Sequence, residues 1–206
     1  MIPSLSTIVL RLAIILPALS GHEFAHAYAA DKMGDPTPRM HGRLTLNPLA
    51  HIDPIGTIIV PIFVGFGWAK PVPINPYNFR DPGRGSLITS AAGPAANLAQ
   101  ALGFGLILRI LVAFFGAATP LPMVIYLHTL TAVNIMLALF NLIPLGPLDG
   151  HYILEYYLPM PYKQQYRQFN QYGFMIVLAV IFLAPQALYL LVFNPATLLA
   201  SMITGL

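Results

Sequence analysis

Long apolar stretches alternate with polar, turn-rich ones along this chain. Leu5 to Ala30, Ser86 to Phe115, Met123 to Leu142 and Tyr172 to Phe193 carry almost no charge. Each is as long as the roughly 20 residues a helix needs to cross a bilayer. Between them lie polar stretches at 31–53, 69–85 and 143–171. Gly34 followed by Asp35-Pro36 predicts the end of the first helix. Thr119-Pro120-Leu121-Pro122 predicts the turn between the second and third. Pro185 predicts a kink in the last span and Asn194-Pro195 its end, leaving the final residues for the membrane interface. Residues 54–68 form a different kind of apolar stretch, because they hold Pro54, Pro61, Gly65 and Gly67 and are too short to span. They predict a strand pair or a re-entrant segment whose backbone protein shields from lipid.

Composition sharpens this into a fold class. Of 206 residues, 57% are hydrophobic and 8% charged, against about 25% charged in soluble domains. With a mean hydropathy of +0.71, the bilayer is the expected solvent. The expectation is an all-α membrane protein: a polytopic helical bundle, one domain over residues 1–206, with a short membrane-associated β or re-entrant segment after the first helix. The net charge of +3 does not point to nucleic acid, because the ten Lys and Arg are scattered and form no basic run. No cysteine is present, which excludes disulfides and thiolate metal sites. The N-terminal apolar run holds the most chemically loaded motif of the chain, so it is read as a retained helix and not as a cleaved signal.

Two constraints set the topology. If 54–68 does not cross the bilayer, loops 31–53, 69–85 and 150–171 share one side and hold eight of the ten Lys and Arg. The positive-inside rule places that side in the cytoplasm. The second constraint is chemical. Residues near 26 and 149 can meet only if an even number of crossings separates them, and spans 86–115 and 123–142 supply two.

The motif is Gly21-His22-Glu23-Phe24-Ala25-His26, which contains HExxH. On a helix, positions i and i+4 share a face, so both imidazoles can bind one metal. Glu23 then lies where it can take a proton from water. Two His and a Glu in an apolar helix are costly unless paired or liganded. A catalytic zinc has three protein ligands plus water, so one more is needed. Asp149, Glu155, Asp53, His51, His128 and His151 are the candidates. Asp149 stands out because it follows an apolar span directly, after two prolines that unwind its end and before a glycine that permits a tight backbone. On the residues alone, a surface Asp-Gly turn is an equal alternative.

Three motifs in order tip the balance: HEFAH in the first span, AAGPAAN (91–97) opening the second, and NLIPLGPLDG (141–150) closing the third. Together they resemble the site-2 protease family of intramembrane zinc metalloproteases, peptidase family M50. GRLTLNPLAHIDPIG (42–56) is similar to the region after HExxH in a compact bacterial and archaeal branch. The resemblance covers about residues 20–155. It implies a three-helix catalytic core (about 5–155), with an additional C-terminal transmembrane helix (about 172–194). It also implies one zinc on His22, His26 and Asp149, Glu23 as base and acid, and Asn141 as a holder of substrate or oxyanion. The implied substrate is a transmembrane segment of another protein, cut on the cytoplasmic side of a prokaryotic cell membrane. Strand-forming residues at 42–46 or 57–64 would capture the unwound segment by edge pairing. No insert long enough for a PDZ domain and no CBS tail is visible. The alternatives are a membrane metal transporter, which usually shows repeated halves, and a catalytically inactive metal-binding scaffold.

Other polar residues receive structural expectations. His41 and His51 hydrogen-bond within their loop. His128 pairs with Asn134 or a neighbouring helix, and His151 is a surface neighbour of Asp149. Asn97 holds helices together through its amide, and the small residues of 91–101 are packing contacts.

Overall fold

Helix α1 (Leu5–Met33) begins where the Ser4 hydroxyl accepts the Thr7 N–H at 3.3 Å. It stops at Gly34, whose φ of 114° no side chain tolerates well. In this computed structural model, which describes residues 4–60 and 67–206, α2 (Pro82–Phe115) starts with Asp81 accepting the Arg84 N–H at 3.0 Å. Pro82 occupies its first position, where a missing N–H does no harm. Then follow α3 (Leu121–Asn141), α4 (Asp149–Tyr157), α5 (Met160–Asn170), α6 (Gly173–Leu183) and α7 (Pro185–Thr204). Among the described residues there is no strand. Among the described residues, four helices are long and apolar enough to cross a membrane: α1, Pro82–Ala118, α3 and α7. The chain is an all-α membrane protein.

Helix α2 packs between α1 and α3, and α7 lies across α2 and α3. Their contact is built from small side chains. Ala101, Ala196 and Ala200 are buried around Ile135, and Gly105 faces Ile203 with no room for a Cβ. In lipid, helix association depends on such close packing, since burial from water supplies no driving force there. Leu108, Leu127 and Leu130 form a second cluster on which Ile14 rests. Leu98, Leu102, Leu106, Phe114 and Leu191 point outward and are exposed, as lipid-facing side chains should be.

Two expectations change. In the stretch 54–68, expected as a strand pair or a re-entrant segment, Pro54–Ile59 winds into a wide helical turn and forms no strand. Asp53 starts that turn, its carboxylate accepting the N–H groups of Ile55 (3.0 Å) and Gly56 (2.6 Å). Capping of this kind favours a helical start over a strand. Residues 61–66 of the expected segment lie outside the described residues, and 42–46 form no strand. The second change is at the C-terminus. The apolar run divides at Ala184, before Pro185, which cannot donate to the preceding turn. Asn194-Pro195 does not end the span. Pro195 sits in the first turn of the helical segment Asn194–Thr204, where it is tolerated, so α7 runs on to Thr204 and packs into the core.

The long excursion between α1 and α2 starts and finishes at one place. The Arg80 N–H donates to Met33 O at 3.1 Å. Buried Asp35 takes the Asn75 N–H on Oδ2 at 2.7 Å and the Asn78 side-chain N–H on Oδ1 at 2.8 Å. Burial pushes the Asp35 carboxyl up, but these bonds and those from Thr37 outweigh it and hold the group below its ordinary value. Because 34–80 returns to its starting point, α2 and α3 bring the chain back to the same end of α1, as the even-crossing argument requires.

Candidate metal centre

His22 and His26 are one turn apart on the inner face of α1, both buried, with Glu23 buried beside them. Their rings meet nearly at right angles, and their Nε2 atoms are 2.9 Å apart. Asp149, the first residue of α4, reaches them from the far part of the chain. Its Oδ2 is 3.3 Å from His22 Nε2, and its Oδ1 is 3.3 Å from His26 Nε2. The three possible ligand atoms lie within 4.8 Å of one another.

The hydrogen bonds behind the rings tell what this cluster can hold. His22 Nδ1 faces Asn97 Oδ1 at 2.6 Å, and His26 Nδ1 faces Thr89 O at 2.7 Å. Both partners are oxygens that only accept, so each neutral ring carries its proton on Nδ1. Both Nε2 atoms are then bare lone pairs, aimed at each other and at a carboxylate. Asp149 Oδ2 is buried with no hydrogen-bond donor. Three electron-rich atoms converging in a buried site repel unless a cation lies between them, so this donor set fits a metal ion.

Local sequence explains how the three are held. Gly93 of α2 presses against the histidine pair. A Cβ there would lie 2.6 Å from His22 Cε1 and in closer conflict with His26 Nε2. Pro94 has no N–H to give Ser90 O, and in this same disturbed turn Thr89 O receives the His26 proton. A brace sets the loop before Asp149. Asn170 Oδ1 accepts the Gly146 N–H at 2.8 Å, and the Tyr166 hydroxyl donates to Pro144 O at 2.8 Å. Arg167 binds Glu155 at 2.6 Å. Gly150 leaves no space for a side chain against the Leu142 and Ile143 carbonyls, so the Asp-Gly turn folds back on the end of α3.

A cavity of about 940 Å³ opens on this cluster. Glu23, Asn141, Val72, Phe174 and Ile181 are among its walls. Glu23 Oε2 accepts the Val72 N–H at 3.2 Å. Asn141 spends one amide hydrogen on Leu137 O at 3.0 Å and keeps a second. The wall segment that carries Val72 is tied down by Lys70, whose N–H donates to His51 O at 2.9 Å and whose carbonyl accepts from buried Arg43.

A family model described as Peptidase family M50 matches residues 105–184, from the second half of α2 through α6. A Bacillus subtilis protein named "Putative zinc metalloprotease YwhC" is 40% identical over 181 residues, 86% of this chain and 81% of the relative. The chain belongs to peptidase family M50. "Putative zinc metalloprotease Rip2" of Mycolicibacterium smegmatis is 31% identical over 179 residues, 84% of this chain and 66% of its own length. The Rip2 of Mycobacterium tuberculosis H37Rv is 29% identical over 184 residues, 86% and 68% respectively. No solved structure matches the chain.

This M50 chain thus brings His22, Glu23, His26, Asp149 and Asn141 to one cavity. The other ligand candidates lie elsewhere. His51 Nε2 bonds Thr45 O at 2.8 Å within its loop. His128 pairs with Thr204 of α7 at 3.1 Å, a neighbouring helix and not Asn134. His151 packs at a tilt against Tyr166 and faces Glu155 at 3.4 Å. Asp53 caps its helical turn. Sequence reasoning missed three contributors: Asn97 on His22, Gly93 under both rings, and Arg43 behind the wall. The first two had a signal. Asn97 is an amide inside a membrane span, and Gly93 is a glycine one turn before it. Arg43 lies in the family-like stretch 42–56, but nothing set it apart there from the other loop charges.

Proposed function

We propose that this M50 member is a zinc metalloprotease that hydrolyses peptide bonds in or near transmembrane segments of other membrane proteins. The observation that carries the reading is the set of three converging bare donors with a carboxylate, Glu23, on the same cavity wall. His22, His26 and Asp149 would hold one zinc per chain. A zinc held there lowers the pKa of water toward about 7 and polarises a carbonyl. Glu23 takes the proton from the attacking water and later hands it to the leaving amine. To do so it gives up the Val72 N–H or shares its oxygens. The free amide hydrogen of Asn141 is directed to the oxygen on which charge develops in the transition state.

Helices α1 to α3 with the Asp149 turn form the catalytic core, about residues 5–155, within one membrane domain over 1–206. Phe174 and Ile181 on α6 give the cavity an apolar wall suited to an apolar substrate segment. The excess of Lys and Arg in 31–53, 69–85 and 150–171 orients the site toward the cytoplasm, in a prokaryotic cell membrane like those of the relatives' organisms.

The direct test is purification in detergent, metal analysis and cleavage of a transmembrane substrate. One zinc per chain is expected, with cleavage lost on chelation and restored by zinc. Metal-free protein that cleaves at full rate would overturn the reading. Gly93 supplies a separate check. Gly93→Ala should push the imidazoles off their common focus and lower cleavage by about 10²-fold, the scale of a displacement near 1 Å, with metal content falling in parallel. Wild-type zinc content and rate in this variant would contradict the close packing described above.

A further inference from the structure

Two buried asparagines stand behind the metal centre, and neither touches the site of the ion. Asn97 of α2 and Asn134 of α3 are both fully buried. Asn97 Oδ1 lies 2.6 Å from His22 Nδ1. Its amide nitrogen donates to Ala18 O at 3.1 Å and to Asn134 Oδ1 at 2.9 Å. The Asn134 amide nitrogen donates in turn to Leu130 O at 2.9 Å. We infer that Asn97, locked by Asn134, sets the tautomer and aim of His22, so that both are positioning residues for metal capture. The inference rests on the metal reading above.

The proton directions along this relay are forced. Ala18 O and Leu130 O are backbone carbonyls, which only accept, so the groups facing them must be N–H. That fixes which way each amide is turned. With Asn134 turned by Leu130 O, its oxygen is presented to Asn97. With Asn97 turned by Ala18 O and Asn134, its oxygen is presented to His22. His22 therefore keeps its proton on Nδ1 and leaves Nε2 bare. Were Asn97 turned the other way, its NH2 would face Nδ1. The ring proton would then move to Nε2, the atom that must ligate, and Ala18 O would face an oxygen. Ligating histidines are commonly held in this manner by an acceptor on the far ring nitrogen.

The two rings are treated differently. His26 gets its acceptor from the main chain, at Thr89 O. Only His22 depends on a side chain, and that side chain depends on another from a third helix. The relay runs from α3 through α2 to α1, so the tautomer of His22 is correct only when all three helices are docked. A plain packing amide has no need to turn its oxygen toward a ligand. Here the Asn97 oxygen and both of its amide hydrogens each have their own partner: His22 Nδ1, Ala18 O and Asn134 Oδ1.

The test uses the full chain in detergent as wild type, Asn97→Leu, Asn97→Asp and Asn134→Leu. Each is stripped, titrated with zinc against a chromophoric chelator, and loaded with cobalt for its visible spectrum. Asn97→Leu should weaken zinc by about 10–100-fold, the usual cost of losing an outer partner of a ligand, and should alter the cobalt bands. Asn134→Leu should shift affinity in the same direction by less. Asn97→Asp, which keeps an oxygen toward Nδ1 but loses both amide N–H bonds, should fall between Asn97→Leu and wild type. If every folded variant bound zinc as wild type does and differed only in thermal stability, the amides would be helix packing alone and the inference would fall. Should Asn97→Leu not fold, ¹⁵N spectra of histidine-labelled, zinc-free wild type decide. A proton on His22 Nδ1 supports the inference, and a bare Nδ1 overturns it. Failure of wild type itself to bind zinc would strike the metal reading instead.

Discussion

Glu23→Gln should keep its zinc and lose cleavage by about 10²–10⁴-fold, the contribution usual for a positioned acid–base group. The expectation follows from where Glu23 stands. It is next in sequence to His22, buried, and on the cavity wall, but outside the set of converging donor atoms. Glutamine has nearly the same shape and can still accept the Val72 N–H through its carbonyl oxygen. The wall segment around Val72 should therefore stay in place, and the variant should fold and load as the wild type does. It loses the ability to carry a proton from water to the amine. Metal analysis beside a cleavage assay on a transmembrane substrate separates the two effects. A Glu23→Gln protein that cleaves at wild-type rate would remove Glu23 from the chemistry, and a metal-free one would make it a ligand. Transport of zinc by this variant, with no proteolysis by wild type, would favour the transporter alternative.

How much of this was legible in the sequence differs from part to part. The spans at α1, α2 and α3 were visible, because unbroken apolar runs of that length have few other uses. His22 and His26 were visible for the same reason that makes them costly: polar groups in an apolar helix at a one-turn spacing. Asp149 was not decided by its residues, since an Asp-Gly turn is as good a surface feature as a ligand, and only the ordered motifs singled it out. The C-terminal span was misdrawn at both ends. A proline in an apolar run can kink a helix, end it or start the next one, and the choice rests on packing. At Pro185 the helix restarts. At Pro195 it continues, because Ala196 and Ala200 bury themselves against Ala101 and Ile135. Of the two forms expected for 54–68, the strand pair gives way over Pro54–Ile59 to a helical turn capped by Asp53. Asn97 was read as a helix tie, which it is, but a sequence cannot say which end of an amide faces which neighbour.

Asp149→Ala should empty the centre. His22 and His26 come from one helix and are held by partners other than Asp149, namely Asn97 and Thr89 O. The loop before Asp149 is braced through Asn170 and Tyr166, and α4 is tied to α5 through Glu155 and Arg167. Removing the Asp149 carboxylate therefore takes away one of three ligands without loosening the frame that carries it. Two neutral imidazoles alone leave a divalent ion with no charged ligand in a buried site. The loss of zinc affinity should exceed the 10–100-fold typical of outer partners, and cleavage should vanish with it. Glu155→Ala is the natural control, because this acid lies on the same short helix and pairs with Arg167 and His151, and the loop before Asp149 keeps its Asn170 and Tyr166 braces without it. It should retain one zinc per chain. Stoichiometric zinc in Asp149→Ala at the wild-type affinity would mean that the convergence of these three side chains has no bearing on metal binding, and the proposed enzyme would lose its centre.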